Sequence, residues 1–366
     1  MKARRSFELI AKMYPRSEYA HTILEDFSNI LGQYEGGLNE CLEALRLGPF
    51  NSILHRHIVL TYLLLNRVED AAAIAKESHA KGLDSNLAPV LYAIAFYRGD
   101  TAEMARQVAS AAGKPGEEDL LWALEADTAA YFGHLGKARE FSHRAADSAE
   151  RAGEKETAAG YYAASALREA LFGDAYKARQ QATTAKRHST GRDMDYGVAL
   201  ALAYAGDANR AQALADDLAK KFPEDTIVHF TYLPTLRARL AVSRSNPQQA
   251  LDVLGVAAPY ELGLSAYSFY NWPNLYPVYV RGEAYLAAHK GGEAVAEFKK
   301  ILDHRGIVLN EPISALAHLQ LGRAYAMSGD TPKARAAYQD FLVLWKDADP
   351  GTPVLKQAKA EYAKLK

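Results

Sequence analysis

His304, Arg305 and Gly306 spell the start of a His-Arg-Asp triplet, the loop in which an aspartate accepts the proton of a hydroxyl attacking a nucleotide phosphate. Glycine stands where that aspartate must be, and neither a glycine-rich phosphate loop nor an Asp-Phe-Gly segment accompanies it. Ala258-Pro259-Tyr260-Glu261 is a second near miss of the same chemistry. His55 and His57 are two residues apart, so on a helix they face different sides and cannot share a metal. Cys41 is the single cysteine, which excludes a disulfide framework and a multi-thiolate metal site and reads as a small buried hydrophobe. The sequence therefore predicts no catalytic residue, no metal set and no cofactor.

The elements that would position any site repeat along the chain. Leu321-Gly322-Arg323-Ala324-Tyr325, followed by Ala334 and Tyr338, writes a helix, a Gly-Asp turn and a second helix. Sliding that frame backwards puts its second-helix small residue at Ala334, Ala294, Ala250, Ala211, Ala178, Ala138, Met104, Ala71 and Gly37, in steps of 40, 44, 39, 33, 40, 34, 33 and 34 residues. A small residue where two helices cross lets their backbones approach, and Gly282, Gly322, Ala126, Ala166, Ala199 and Ala238 hold the matching first-helix place. Pro49 and Pro223 each follow the second-helix small residue by twelve, where a proline ends the helix.

This frame resembles the tetratricopeptide repeat, with its Leu-Gly, Tyr, Ala, aromatic and closing Pro. The resemblance implies an all-α fold, an open right-handed α-solenoid of about nine helical hairpins. Ala3, Phe7 and Pro15 read as the closing half of a repeat, so residues 1–15 are expected to be a truncated repeat or an N-terminal cap. Residues 16–349 form the solenoid, and residues 350–366, with Val354, Leu355, Ala358, Tyr362 and Leu365 on one stripe, form a C-terminal capping helix.

In such arrays the first helix of each hairpin lines the concave face. Carrying that pattern over places Tyr19, Arg56, Tyr97, Asp127, Tyr131, Tyr196, Tyr204, Tyr232, Arg239, Tyr276, Tyr279, Glu283 and Arg323 in a tyrosine-rich groove suited to a peptide segment, with Arg56, Arg239 and Arg323 fixing acidic or carbonyl groups. Several of these tyrosines are expected to pack between neighbouring hairpins instead. The lysine and asparagine with which chaperone-binding relatives grip a terminal carboxylate are absent. An aromatic-rich insert near 259–279 holds Tyr260, Tyr267, Phe269, Tyr270 and Trp272 besides Tyr276 and Tyr279, and is expected to fold back onto the solenoid.

Segments including Ala123 to Arg144, Ala211 to Lys220, Ala258 to Gly263, Phe298 to Gly306 and Leu344 to Lys359 resemble the C-terminal tetratricopeptide region of a family of bacterial serine/threonine protein kinases. Related regions follow winged-helix DNA-binding domains. The resemblance implies a regulatory or sensing scaffold for a protein or peptide partner in signal transduction, with any kinase or DNA-binding module upstream and no active residue here. A less favoured alternative is an α/α-toroid glycosidase, which needs two carboxylates facing across a sugar. Asp127 and Glu283, the acids of the later inner wall, lie four hairpins apart in the frame, which argues against it.

Composition agrees with a soluble array. Hydrophobic residues make up 49% and charged residues 24%, and a net charge of -1 denies the chain the basic field of a nucleic-acid binder. The start, Met1-Lys2-Ala3-Arg4-Arg5, leads into a segment broken by Glu8 and Lys12, without the apolar core of a signal peptide. Ile58 to Leu65, the longest apolar stretch, is too short for a membrane span, so a cytoplasmic location is expected. Nothing in the sequence sets the oligomeric state.

Overall fold

The computed structural model describes residues 2–83, 85, 87–264 and 275–365. After an N-terminal helix α1 (Lys2–Met13) come nine helical hairpins: α2/α3 (Glu18–Ile30, Tyr34–Leu47), α4/α5 (Ser52–Leu64, Val68–Ala80), α6/α7 (Ala88–Arg98, Thr101–Ala111), α8/α9 (Glu118–Tyr131, Leu135–Arg151), α10/α11 (Lys155–Leu171, Ala175–His188), α12/α13 (Arg192–Tyr204, Ala208–Lys221), α14/α15 (Leu233–Ser243, Pro247–Leu254), α16/α17 (Tyr276–Ala287, Gly291–Asp303) and, after the short α18 (Arg305–Val308), α19/α20 (Pro312–Met327, Thr331–Leu344). The helix α21 (Pro353–Ala363) closes the array, burying Leu355 and Ala358 as the apolar stripe predicts. No strand occurs among the described residues, and no described helix is long and apolar enough to cross a membrane.

Local sequence explains each hairpin. All nine turns contain a residue in the left-handed region: Gly32, Asn66, Gly99, Gly133, Gly173, Gly206, Ser245, His289 and Gly329. Glycine takes that conformation without steric cost, which is why six of the nine are glycine. Where the next residue can cap, it does: the side chains of Asp100, Asp174, Asp207, Asn246 and Asp330 each accept the amide three residues on. The small residues of the repeat frame, Gly37 to Ala334, all fall at the fourth position of a second helix, and all are buried. Each therefore meets its first helix at the crossing. A β-carbon on Gly282 would lie 2.6 Å from the Phe298 ring, and one on Gly322 would lie 2.7 Å from the Tyr338 ring, so only glycine admits these aromatics.

Longer repeat steps have separate causes. Helices α9 and α10 each run 17 residues, while the last step is lengthened by α18. A π-helical turn over Val228–Tyr232 widens the start of the seventh hairpin immediately before Leu233 and Pro234.

The array winds back on itself. Connections after the late second helices rest on the turns of the early hairpins, forming a seam between segments some 180 to 240 residues apart. The Tyr34 hydroxyl donates to the Leu262 carbonyl, and Leu264 N donates to Asn29 O at 2.9 Å. Asn66 donates through Nδ2 to Asp303 O at 2.9 Å and accepts Gly306 N at 2.7 Å. Arg305 reaches the Tyr97 carbonyl, Asn310 Nδ2 reaches Leu124 O and the Thr128 hydroxyl, and Trp345 Nε1 donates to Tyr131 O. Asp349 finishes the seam by donating from N to Gly133 O and accepting Gly136 N. Close approach again requires glycine: a β-carbon on Gly306 would collide with the Leu63 carbonyl oxygen, and one on Gly263 with that of Ile30.

Candidate functional site

The residues expected on an inner wall of first helices divide into three groups, with Asp127 apart. Tyr196, Tyr232, Tyr276 and Tyr279 are only 1–2% exposed. They offer no surface to a partner in this arrangement, which corrects the groove assignment for these four. Tyr196 and Tyr232 stack at 3.8 Å with planes 3° apart, and the Tyr232 hydroxyl donates to Asp193 Oδ1 at 2.8 Å. Asp193 is in turn gripped by Arg192, which also holds Asp225 at 2.7 Å. The rings consume their area in hairpin-to-hairpin packing because the inner face of a tightly wound array is itself a core.

A second group makes two polar clusters along the late wall. The Tyr204 hydroxyl donates to Glu283 Oε2 at 2.8 Å, and the Arg239 guanidinium lies 4.4 Å over the Tyr204 ring and 3.8 Å from Glu283. Gln320 Nε2 donates to the Tyr279 hydroxyl at 3.1 Å while its Oε1 accepts Arg323. Arg323 also clamps both carboxylate oxygens of Glu361 on α21, at 2.9 and 3.0 Å, and Tyr338 donates to the same group. Both Arg239 and Arg323 thus have resident carboxylates, so the expectation that they bind acidic groups of a peptide is corrected too.

The third group lies in the early half. Tyr19 is 67% exposed and meets Phe7 edge-on. Arg56 is partly exposed, Tyr97 lies beneath Arg305 at 4.3 Å, and Tyr131 packs edge-on against Phe96. The wall as drawn from sequence is therefore open only towards its beginning.

Asp127 and Glu283, the two acids expected on the wall, do not meet. Asp127 instead pairs with Arg168, which also donates to Ser142 at 2.7 Å, and its carboxylate acts electrostatically on Glu311 at the start of α19. Burial first, and then the Asp127 carboxylate, pushes Glu311 well above the usual carboxyl range, while Arg168 opposes the shift. Asp127 itself is raised by burial against the pull of Arg168, and Glu283 is raised by burial against Arg239 and Tyr204. Sequence reasoning missed Arg168 because the long α10 places it at the fourteenth position, beyond the repeat frame. Glu311 was missed because it precedes its helix, as the residue before Pro312.

From the aromatic insert, Tyr260 packs 5.2 Å from Phe230 and lines a cleft of about 260 Å³ with Arg4, Phe27, Arg192 and Ile227. Tyr267, Phe269, Tyr270 and Trp272 lie outside the described residues. The histidines separate as expected: His55 meets the Ser78 hydroxyl at 2.9 Å, and His57 meets Glu25 Oε2 at 2.8 Å.

A larger concavity was not anticipated. Helices α5 and α7 stand apart over α6, leaving a groove of about 990 Å³. Its floor is apolar, from Ala72, Ala75, Leu91 and Ile94, and its rim carries Lys76, Arg98 and Arg106 together with Asp100, Glu103 and Glu117, Arg106 pairing with Glu103 and Arg98 with Glu69. Of the two second helices that flank it, α7 has 11 residues and α5 has 13.

Fold and wall together define an α-solenoid of tandem helical hairpins. Residues 279–353, which run from α16 through α20, match the tetratricopeptide repeat model. No curated protein matches the chain. Among solved structures it is similar to yeast Tom70, at 13% identity and a TM-score of 0.40 over 99% of this chain and 91% of that one. It is also similar to a chain of the APC/C hetero-tetramer Cut9-Hcn1, at 14% identity and a TM-score of 0.43 over 91% of this chain and 62% of that one.

Proposed function

We propose that this chain is a protein-interaction scaffold that holds a helical segment of a partner in the groove between α5 and α7. The observation that carries this reading is the groove itself, an accessible trough with an apolar floor and charges of both signs on its rim. An amphipathic helix buries its apolar stripe on such a floor and matches the rim with its polar flanks. The late inner wall is closed by its own rings and ion pairs, which leaves the early half as the contact surface. Resemblance of the sequence to kinase-linked arrays supports a regulatory use of that contact, in which the solenoid recruits and performs no bond-making.

A photo-reactive residue placed at Leu91 in the groove should cross-link a defined partner segment, whereas the same residue at the exposed Val343 on α20 should not. The synthetic segment should then bind the chain in calorimetry and lose at least tenfold in affinity to Ala72→Arg, which fills the trough. Equal cross-linking from Leu91 and Val343, or equal affinity for Ala72→Arg, would refute the reading.

A further inference from the structure

Glu25, Cys41 and His57 project from three successive helices, α2, α3 and α4, and bring a carboxylate oxygen, a thiol sulfur and an imidazole nitrogen within 4.8 Å of one another. Among the described residues this is the one such group of three or more potential ligands. Glu25 and Cys41 are buried, while His57 keeps a solvent-facing edge. Asn29, one turn beyond Glu25, donates Nδ2 to Glu25 Oε1 at 2.6 Å. Its Oδ1 is buried without a hydrogen-bond partner, on a residue only 7% exposed, and faces Gly37, one turn before Cys41. A buried amide oxygen left unpaired is unfavourable, so its presence beside three ligand types calls for an occupant.

We propose that Glu25, Cys41 and His57 bind a divalent transition ion of the zinc class, with Asn29 Oδ1 completing or supporting the set. The donor chemistry fits: sulfur, imidazole nitrogen and carboxylate oxygen are the three ligand types of zinc, which bonds them at about 2.0–2.3 Å and so holds its ligands about 3.5 Å apart. Charge also balances, because the Glu25 carboxylate and a Cys41 thiolate neutralise a dication. The Cys41 thiol directs its proton at the Leu54 carbonyl at 3.7 Å. Metal binding forms the metal–sulfur bond and releases that proton to solvent, and Glu25 exchanges its contact with His57 for the ion. Nucleophilic chemistry by Cys41 is not proposed, because the sulfur is fully buried and no substrate could reach it. The ion would pin the first two hairpins together.

Cobalt(II) titrated into the chelator-treated full chain under reducing conditions should bind one ion per chain with a thiolate-to-cobalt charge-transfer absorption, which excess zinc should abolish. Cys41→Ser should lose the absorption, and His57→Gln should retain it with at least tenfold weaker binding. Absence of the absorption in the wild-type chain would overturn the proposal. If Cys41→Ser does not fold by circular dichroism, His57→Gln decides the matter, and unchanged cobalt affinity in that variant would overturn the proposal as well.

Discussion

Gly306→Ala tests the seam more directly than any other single change. A β-carbon there would fall on the Leu63 carbonyl oxygen, far inside the roughly 3.3 Å of a C–H···O contact, and backbone oxygen cannot rotate away. The α18 segment must therefore retreat from the turn at Asn66. Two hydrogen bonds then open, Gly306 N to Asn66 Oδ1 and Asn66 Nδ2 to Asp303 O, and the reach of Arg305 to the Tyr97 carbonyl is strained. At about 1 kcal/mol for each bond, plus the cost of groups left partly unpaired, the loss should be roughly 2–4 kcal/mol. Gly292→Ala on α17 is the control, because nothing lies within 4 Å of its β-carbon and alanine favours the helix by about 0.5–1 kcal/mol. Thermal melts should show Gly306→Ala several degrees below the wild type and Gly292→Ala at or above it. Hydrogen exchange should speed up at the amides of residues 305–309 and 65–67 together, on both sides of the seam. If Gly306→Ala melts with the wild type and leaves both segments equally protected, the two halves do not meet as described.

Two other changes probe the interior and the turns. Glu311→Gln should stabilise the protein at neutral pH and do little at acid pH: a carboxyl whose folded pKa is raised holds its proton more tightly when folded, so its contribution is complete below the unfolded value of about 4.3 and is lost as pH rises through the folded value. Melting temperatures at pH 4 and pH 7 check this, and a variant that is destabilised at pH 7 would contradict it. His289→Gly, in the turn of the eighth hairpin at φ 56°, should raise stability by about 1 kcal/mol by removing a left-handed non-glycine residue; denaturant melts that show a loss would mean the histidine side chain matters more than its backbone.

The hairpins were legible because their determinants are local. A left-handed turn residue, a capping side chain and a small residue at the fourth helical position all lie within a few residues of one another, and every second-helix position read from the repeat frame is where the structure has it. The capping helix was legible from the stripe of Leu355 and Ala358. What escaped were properties of the winding. Whether Tyr276 lines a cleft or a core depends on how far the array curls, which no single repeat encodes. Gly306, read as the third letter of a broken catalytic triplet, is instead a seam residue whose reason lies 240 positions away. The ligand trio of Glu25, Cys41 and His57 gave no spacing motif because each member comes from a different helix.

An ordinary row of hairpins touches only its neighbours, so it can gain or lose units at either end and nucleate wherever it is locally strongest. Buttoning the rim of one coil to the next changes that. Bonds such as Asp349 to Gly133 and Asn310 to Thr128 close loops of around two hundred residues, so they form only after most of the chain has found its place. Assembly should then show a late, slow step, and a chain shortened before α18 should keep its helices yet lose the protection of early turns it never contacts in sequence.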